Sequence, residues 1–292
     1  MKLVTFSSSG GGTPERIGAV VDAGVVDLTA EGLPADMVQL IALGEDGLRS
    51  ARDALGDAPV IPIGDVRLHA PLRPPNNVMA VGRNYHDHAA EFSASGFDAS
   101  EQQMIPQHPI IFTKARTSII GPGDAIVAAN DPLESTDYEG ELAVVVGPGG
   151  RRIRQERAYE HVYGYTVLND VTARDLQKRH VQFFIGKSVD TFCPMGPALV
   201  TRDEVPDIEA RWLRTTVDGE LRQEAPISAL IFDIPTLIAT LSEAMTLQPG
   251  DVIATGTPKG VGIGFDPPRY LARGNVVAVT IDGIGVLSNP VE

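Results

Sequence analysis

The chain has 292 residues, with 38 acidic against 24 basic side chains and a formal net charge of −14 at pH 7. Such an acidic chain is a poor partner for nucleic acid or for an anionic membrane surface, and we expect neither. No stretch reaches the roughly eighteen apolar residues of a membrane span, and the first residues lack the apolar region of a signal peptide, so we expect a cytoplasmic protein. The only cysteine, Cys193, cannot form an internal disulfide, which agrees with a reducing compartment.

The first 72 residues are predicted to form a small α/β domain. Residues 17–21 and 24–28 have the pattern of two short strands joined by a hairpin turn. Residues 37–55 carry apolar side chains at helical spacing. The proline-rich segment 71–77 breaks any regular element. It marks the boundary to a second domain, which we predict over residues 73–292.

Short β runs dominate the second domain. Many short strands with few helices predict a β-rich α+β fold, built as a roll or barrel with mixed strand pairing. Helices are predicted at 172–180 and 234–243. The predicted strands are 78–81, 110–113, 124–127, 138–146, 163–168, 213–217, 251–255 and 276–281.

The segment 136–147 has the pattern of a buried strand, yet it carries two acidic residues. Side chains alternate along a strand, so Glu139 and Glu141 project from the same face. Two neighbouring carboxylates in apolar surroundings repel one another and lose hydration unless a cation lies between them. The apolar run 143–146 indicates a strand that is covered on both faces. This favours a metal site over the alternative, the wet face of an edge strand.

Asp170 is predicted to be a third ligand of the same metal. It lies between the strand predicted at 163–168 and the helix predicted at 172–180. Asp is a common helix cap, but Thr172 with Asp175 three residues later is itself a capping-box pattern, which leaves Asp170 available. Three carboxylates without Cys or His form an oxygen site that suits Mg²⁺ or Mn²⁺ rather than zinc.

His88 and Glu91 form a candidate acid/base pair. If this segment becomes helical, the two side chains share one face, and Glu91 can orient the imidazole so that it takes a proton from water. A surface loop, or a site for a softer metal, is the alternative for this stretch alone. The polar segment 92–107 is interpreted as a mobile lid that brings the pair into place when substrate binds.

An anionic substrate requires a local basic patch, because the overall charge of the chain opposes it. Arg174 and Gln177 are three residues apart on one helix face near Asp170, although a solvated helix face has the same spacing. Thr257 lies in a glycine-rich segment that can offer N–H groups and a hydroxyl to a carboxylate, although most such segments are only turns. The candidate basic groups are Arg83, Lys114, Arg174, Lys187 and Lys259.

Read together, six segments resemble the fumarylacetoacetate hydrolase family, most closely its acylpyruvate hydrolase and 2-oxo acid branch. They follow one another in order over residues 78–292, and they are specific jointly although no one of them is specific alone. The segments are Gly82-Arg83-Asn84-Tyr85 with His88 and Glu91, Glu139-Gly140-Glu141-Leu142, residues 169–177, Gly186-Lys187-Ser188, residues 218–223, and residues 250–262.

The resemblance implies a role for each site residue. Glu139, Glu141 and Asp170 would hold Mg²⁺ or Mn²⁺, and His88 with Glu91 would be the acid/base pair on a lid. The implied fold is a mixed-sheet β-roll or barrel preceded by a small N-terminal domain, and the implied assembly is a homodimer. Lys187 would be catalytic, and the residues that bind a small anionic 2-oxo acid would be Arg83, Tyr85, Arg174, Gln177 and Thr257.

The reaction implied by the resemblance is cleavage of a C–C bond in a 2,4-dioxo acid to pyruvate and a carboxylic acid. The cation would polarise the 2-oxo group, and His88 would activate the water that attacks C4. Cleavage between C3 and C4 would leave a pyruvate enolate, stabilised by the cation and Lys187. The same site could instead decarboxylate oxaloacetate or isomerise 2-hydroxyhepta-2,4-diene-1,7-dioate. A metal-stabilised binding protein without turnover is the non-enzymatic alternative.

Overall fold

A computed structural model describes residues 1–56, 58–96 and 105–292. Within these ranges the chain forms eighteen strands and six α-helices. The helices are α1 Met37–Ala42, α2 Gly44–Ala54, α3 His86–Ala94, α4 Arg174–His180, α5 Phe184–Lys187 and α6 Ile234–Ala244. The strands are β1 Lys2–Ser8, β2 Arg16–Val21, β3 Gly24–Asp27, β4 Val60–Pro62, β5 Val66–Leu68, β6 Val78–Gly82, β7 Ile110–Lys114, β8 Ile119–Ile120, β9 Thr136–Asp137, β10 Gly140–Val146, β11 Val162–Asn169, β12 Thr172–Ala173, β13 Cys193–Thr201, β14 Trp212–Val217, β15 Glu220–Pro226, β16 Val252–Ala254, β17 Val276–Ile281 and β18 Gly285–Pro290.

Twelve strands form one large mixed sheet. Ten of them follow the order β4-β3-β2-β1-β13-β11-β10-β16-β6-β7, while β5 pairs with β1 and β8 pairs with β13. Most neighbours are antiparallel, but β16 runs parallel to β6 and β13 runs parallel to β8. This confirms the predicted β-rich α+β fold with mixed pairing. The order ends at β4 and β7 without joining them, so the described strands form an open sheet and no closed barrel.

A second, four-stranded antiparallel sheet has the order β15-β14-β17-β18. It packs against the large sheet through a shared apolar cluster, in which Val144 and Val167 of the large sheet lie with Val279 and Ile281 of the small one. Strands β10 and β11 are therefore buried on both faces, and every residue of each is buried. Apolar side chains on both faces explain why these two strands run through the interior.

The N-terminal strands continue the large sheet. Strand β1 pairs antiparallel with β13, with Lys2 opposite Val200 and Leu3 opposite Leu199. Side chains of α1, such as Met37 and Leu40, pack in one cluster with residues of the central strands. Residues 1–72 are thus joined to the rest of the chain by sheet pairing as well as by sequence. Their standing as a domain of their own remains a prediction.

Three sequence predictions of local structure were wrong. The helix expected over 37–55 is two helices, because Gly44 has a φ of +58°, a left-handed conformation that interrupts the helical path. Residues 124–127 form no strand, and Ile126 makes only an isolated bridge to Val291. The helix expected to begin at Thr172 begins at Arg174 instead. Among the described helices, none has both the length and the apolar character needed to cross a membrane.

Candidate active site

The two glutamates and Asp170 meet where β10 and β11 pair. Gly140 lies opposite Asn169 in that pairing, so the residues just before β10 and just after β11 are neighbours. The Asp170 amide donates to the Glu139 carbonyl oxygen at 2.8 Å. Carboxylate oxygens of Glu139, Glu141 and Asp170 all lie within 4.8 Å of one another, and all three residues are buried. The structure thus brings together the three side chains that the sequence predicts as metal ligands.

Asp170 does not cap the helix that follows it, and neither does Thr172. The Thr172 hydroxyl donates to the Asp170 carbonyl at 2.9 Å, so the predicted capping box is absent. Ser135 takes the capping position from a distant segment, because its hydroxyl oxygen accepts from the Asp175 amide at 2.9 Å. The Asp170 carboxylate is therefore not used to cap the helix, as predicted, and it lies with the other two acids. The residue that caps the helix is Ser135, however, and not Thr172.

Two of the three carboxylates are held by buried cations. Lys187 Nζ lies 2.7 Å from Glu139 Oε2 and 2.8 Å from Asp170 Oδ2. Arg174 Nη1 lies 2.7 Å from Glu139 Oε1. Lys114 Nζ lies 2.6 Å from Asp170 Oδ1, and the Lys114 side chain is fully buried. Glu139 and Asp170 therefore each face two positive charges.

The negative charge of Glu141 is neutralised less completely than the charges of Glu139 and Asp170. Its Oε2 accepts from the Gly256 amide at 2.8 Å, and among the described residues it forms no salt bridge. Burial, followed by the charges of Asp170 and Glu139, raises the pKa of Glu141 well above its usual value. Burial also opposes ionisation of Glu139, but Lys187 and Arg174 lower the pKa of that carboxyl to about 2. Glu141 is thus the one carboxylate of the three that no described cation contacts directly.

A divalent cation fits this donor set. Carboxylate oxygens that converge in a buried place are the ligands that Mg²⁺ and Mn²⁺ prefer, and no Cys or His shares the cluster. A doubly charged ion would relieve the repulsion that raises the pKa of Glu141. The residues that would hold it are Glu139, Glu141 and Asp170.

The predicted acid/base pair is assembled on α3. His88 Nδ1 lies 3.2 Å from Glu91 Oε2, and the other carboxylate oxygen of Glu91 accepts from the Gly260 amide at 2.9 Å. Because Nδ1 is occupied by Glu91, Nε2 is the nitrogen that can meet a ligand. The lid predicted over 92–107 falls partly on residues 97–104, which lie outside the described residues.

His88 and Glu139, one of the three clustered carboxylates, line one small cavity of about 330 Å³, including its mouth. Its lining is partly polar, with Glu139 and His88, and partly aromatic, with Phe92, Phe112 and Phe183. The other residues of the lining that the sequence predicts are the catalytic candidate Lys187 and the substrate-binding candidates Arg83, Arg174, Gln177 and Thr257.

Three of the residues predicted as basic or substrate-binding groups lie outside the lining of this cavity. Lys114 is behind Asp170, where it neutralises a ligand instead of meeting a substrate. Lys259 is exposed and pairs with Asp87 at 2.8 Å. Tyr85 lines a separate surface groove, although burial and then the charge of Glu141 raise the pKa of its phenol. Of these three residues, only Tyr85 was expected to bind substrate because of the family resemblance.

Asp137 is a buried carboxylate beside the site that the sequence does not predict as a site residue. Its Oδ2 accepts from Arg174 Nε at 2.9 Å, and its two oxygens accept from the amides of Gly262 at 2.6 Å and Ile263 at 3.1 Å. Burial raises the pKa of this carboxyl although Arg174 opposes the shift. The available signal was its position, two residues before Glu139 in the same acidic run.

Comparison with sequences of known proteins gives a consistent result. Residues 77–292 match the fumarylacetoacetate (FAA) hydrolase C-terminal family. The chain is 48% identical over 272 residues to the oxaloacetate tautomerase of Bacillus subtilis, covering 89% of this chain and 88% of that protein. It is 42% identical over 273 residues to a mitochondrial oxaloacetate tautomerase of Homo sapiens, covering 92% and 84%.

Solved structures agree with the sequence relatives. A fumarylacetoacetate hydrolase from Exiguobacterium antarcticum superposes with a TM-score of 0.86 at 43% identity, covering 100% of this chain and 99% of that one. A maleylpyruvate hydrolase from Sphingobium sp. SYK-6, in complex with manganese(II) and pyruvate, gives a TM-score of 0.81 at 32% identity, covering 100% and 98%. The chain therefore belongs to the fumarylacetoacetate hydrolase family of enzymes, in its 2-oxo acid branch.

Proposed function

We propose that the protein is a divalent-metal-dependent tautomerase that interconverts the keto and enol forms of a short 2-oxo dicarboxylate such as oxaloacetate. The observation that carries the proposal is that His88, held by Glu91, lines the same small cavity as Glu139, which belongs to the cluster of three buried carboxylates. The B. subtilis relative named for this reaction is 48% identical over most of both chains. The sequence predicted hydrolysis first, with decarboxylation of oxaloacetate or isomerisation of a 2-oxo diacid as alternatives, and tautomerisation was not among these predictions.

The charges of the site support an anionic substrate. Four buried carboxylates face three buried cations, so a divalent cation would make this group of residues net positive. Arg83 also lines the cavity and adds to the positive charge. Opposite charges attract each other strongly in such a water-poor site, so an anionic substrate would be bound there. The groups counted are Asp137, Glu139, Glu141 and Asp170 against Lys114, Arg174 and Lys187.

The proton transfers fall to His88. A cation held by the trio would supply Lewis-acid stabilisation of negative charge on the 2-oxo oxygen. In the enol-to-keto direction, protonated His88 Nε2 delivers a proton to C3 while the proton of the enol hydroxyl passes to water, and His88 then regains a proton from water. The reverse direction uses the same atoms. Glu91 orients the imidazole through Nδ1, and Gly260 in turn holds Glu91. Lys187 and Arg174 keep Glu139 ionised, as a ligand must be.

Hydrolysis of a C–C bond in a 2,4-dioxo acid is the second candidate. It is supported by the maleylpyruvate hydrolase relative, whose structure contains manganese and pyruvate. In that reaction His88 would activate water instead of moving a proton at C3. We place it second because the relatives named for tautomerisation are more similar to this chain, at 48% and 42% identity against 32%.

The test is a comparison of two substrates under the same conditions. Enol-oxaloacetate decay is followed by ultraviolet absorbance, and an acylpyruvate panel is analysed for pyruvate, each with Mg²⁺ or Mn²⁺ and with chelator. We expect the protein to accelerate enol decay only with metal, beyond the rate for metal alone. Release of pyruvate from acylpyruvate without tautomerisation would establish the second candidate. Ligand binding without either reaction would leave the binding-protein alternative.

We also propose the homodimer that the resemblance implies. The described residues belong to one chain, and no interface is described for them. Sedimentation at micromolar concentration is the direct measurement. A species of twice the 31.1 kDa chain mass is expected, and a monomer across that range would contradict the proposal.

A further inference from the structure

The catalytic cavity shares a wall with a second, outer pocket. Two aromatic side chains, Phe112 and Phe183, line both spaces, as does Arg83. The outer pocket encloses about 570 Å³, including its opening to solvent. The remaining residues of its lining carry no charge: Ile110, Ile111, Val181 and Gln182. A mainly apolar space therefore adjoins the catalytic cavity at the aromatic residues Phe112 and Phe183.

The wall is a packed aromatic cluster. The rings of Phe112 and Phe183 meet edge to face, with centroids 5.4 Å apart and an interplanar angle of 77°. Phe92 packs on the other side of Phe183 in the same way, at 6.5 Å and 69°. Gly82 leaves room for the ring, because a Cβ there would lie 3.3 Å from Phe183 Cε2. Contacts of this kind hold a ring in one position.

A buried cation beside the wall, Lys187, defines the direction of a bound substrate. Lys187 Nζ lies 5.3 Å from the Phe112 ring centroid and also contacts Glu139 and Asp170. The charged end of a 2-oxo acid therefore belongs beside Lys187 and the trio. The chain beyond that end runs toward the aromatic rings, and Phe183 stands between it and the outer pocket.

We propose that Phe183 determines substrate length by closing the catalytic cavity off from the outer pocket. The inference rests on the proposed function only in taking the ligand to be a 2-oxo acid. With Phe183 in place, the chain of a longer 2-oxo acid meets the ring before it reaches the outer pocket. With the ring removed, the two spaces join, and the apolar tail of a longer 2-oxo acid can enter among Ile110, Ile111 and Val181.

The expected effect follows from the burial of methylene groups. Each methylene that moves from water into an apolar pocket tightens binding by about fourfold. In the wild-type protein the added methylenes have no place, so affinity should stay flat or fall along a series of longer chains. In Phe183→Ala affinity should rise by about fourfold per methylene until the outer pocket is full.

The experiment measures the binding of straight-chain 2-oxo acids, from pyruvate to 2-oxooctanoate, by calorimetry with Mn²⁺ present. The variants are Phe183→Ala, Phe183→Leu and the matched control Phe184→Ala, which removes the next ring along the chain. Phe184 is 41% exposed and lines neither space. Phe183→Ala should reverse the chain-length preference, Phe183→Leu should shift it part of the way, and Phe184→Ala should keep the wild-type profile.

Parallel shifts for every chain length in Phe183→Ala would overturn the proposal, as would a wild type that already prefers the longest acids. If Phe183→Ala does not fold, Phe183→Leu is judged by the same criterion. Enol-oxaloacetate turnover is measured on the same preparations to separate the two proposals. A reversed binding profile without tautomerase activity would refute the proposed function and keep this inference. Tautomerase activity together with an unchanged chain-length profile in Phe183→Ala would support the proposed function and refute this inference.

Discussion

The carboxylate end of the cavity is held far more firmly than the histidine end. Glu139 and Asp170 each form ion pairs with two cations, in a place where β10 and β11 are buried on both faces. Among the described residues, His88 makes one side-chain hydrogen bond, of 3.2 Å, to Glu91, and its ring packs against that of Phe92 with centroids 6.3 Å apart. The carboxylate end is thus tied into the central strands by several ion pairs, while the acid/base end depends on one hydrogen bond and one ring contact.

This contrast suggests how one family supports several reactions. Stabilising negative charge on a 2-oxo group is common to tautomerisation, decarboxylation and C–C cleavage, and it depends on the buried end. Where a proton or water is delivered depends on the less constrained end. Relatives named for tautomerisation and for hydrolysis share this fold. The predictions below test the difference between the two ends.

The largest loss should come from Asp170→Asn. The change leaves Lys114 and Lys187 without one of their buried counter-charges, and breaking a buried pair in this way costs about 3–5 kcal/mol. Urea unfolding of the metal-free protein measures the free energy of unfolding, with the exposed carboxylate variant Asp190→Asn as control. A loss of less than about 0.5 kcal/mol, the usual range for a surface change, would show that the carboxylate end is not part of the core.

His88→Asn should lower kcat while leaving the carboxylate end intact. Loss of a general acid/base costs about 10²–10⁴ in rate, and the metal ligands are untouched. Steady-state kinetics and Mn²⁺ titration are measured on the same preparation. His86→Asn, an exposed histidine on the same helix, is the matched control and should retain wild-type kcat. If His88→Asn reduces metal affinity as much as kcat, the two ends are not separate.

Asp137→Asn should affect both ends at once. Asp137 holds Arg174, which pairs with Glu139, and it holds the segment 260–263, whose Gly260 amide binds Glu91. Loss of such a supporting contact typically costs about 10–100-fold in metal affinity or activity. Metal titration and kcat are the measurements, with the exposed Asp266→Asn as control. A change confined to one of the two quantities would contradict this linking role.

Metal affinity should rise with pH. Because the pKa of Glu141 is raised, the metal-free protein holds a proton there at lower pH, and the cation must displace it. Apparent affinity should fall by up to about tenfold per pH unit below that pKa and level off above it. Calorimetry in buffers of different ionisation enthalpy should show up to one proton released per ion. An affinity independent of pH, without proton release, would refute this assignment.

Much of the carboxylate end could be predicted from local sequence. The alternation of a strand places Glu139 and Glu141 on one face, and a residue just after the adjoining strand brings Asp170 near them. Lys114 could not be placed in this way, since its contact with Asp170 spans the fold. The same holds for Asp137, whose partners Gly262 and Ile263 are more than a hundred residues away. Their roles are properties of the tertiary structure.

The fold shows the same limit. Strand β13 was not predicted, because Pro194 and Pro197 interrupt the pattern that marks a strand. Its partner β1 lies about two hundred residues away in sequence, so their pairing carries no local signal. Ser135 caps α4 from another segment, and Thr172, which has the local capping pattern, does not. The contact between the Phe112 and Phe183 rings likewise joins segments that are far apart in the sequence, so no local pattern predicts it.

Mn²⁺ titration of wild type and Glu141→Gln tests most directly whether the trio holds a cation. Glu141 forms no salt bridge among the described residues, so the amide leaves no buried cation without its partner, and its oxygen can still accept from Gly256. We predict one Mn²⁺ per wild-type chain, binding weaker by roughly 100-fold or more in Glu141→Gln, and no loss of stability in the metal-free variant. Equal Mn²⁺ affinity in the two proteins would contradict the account.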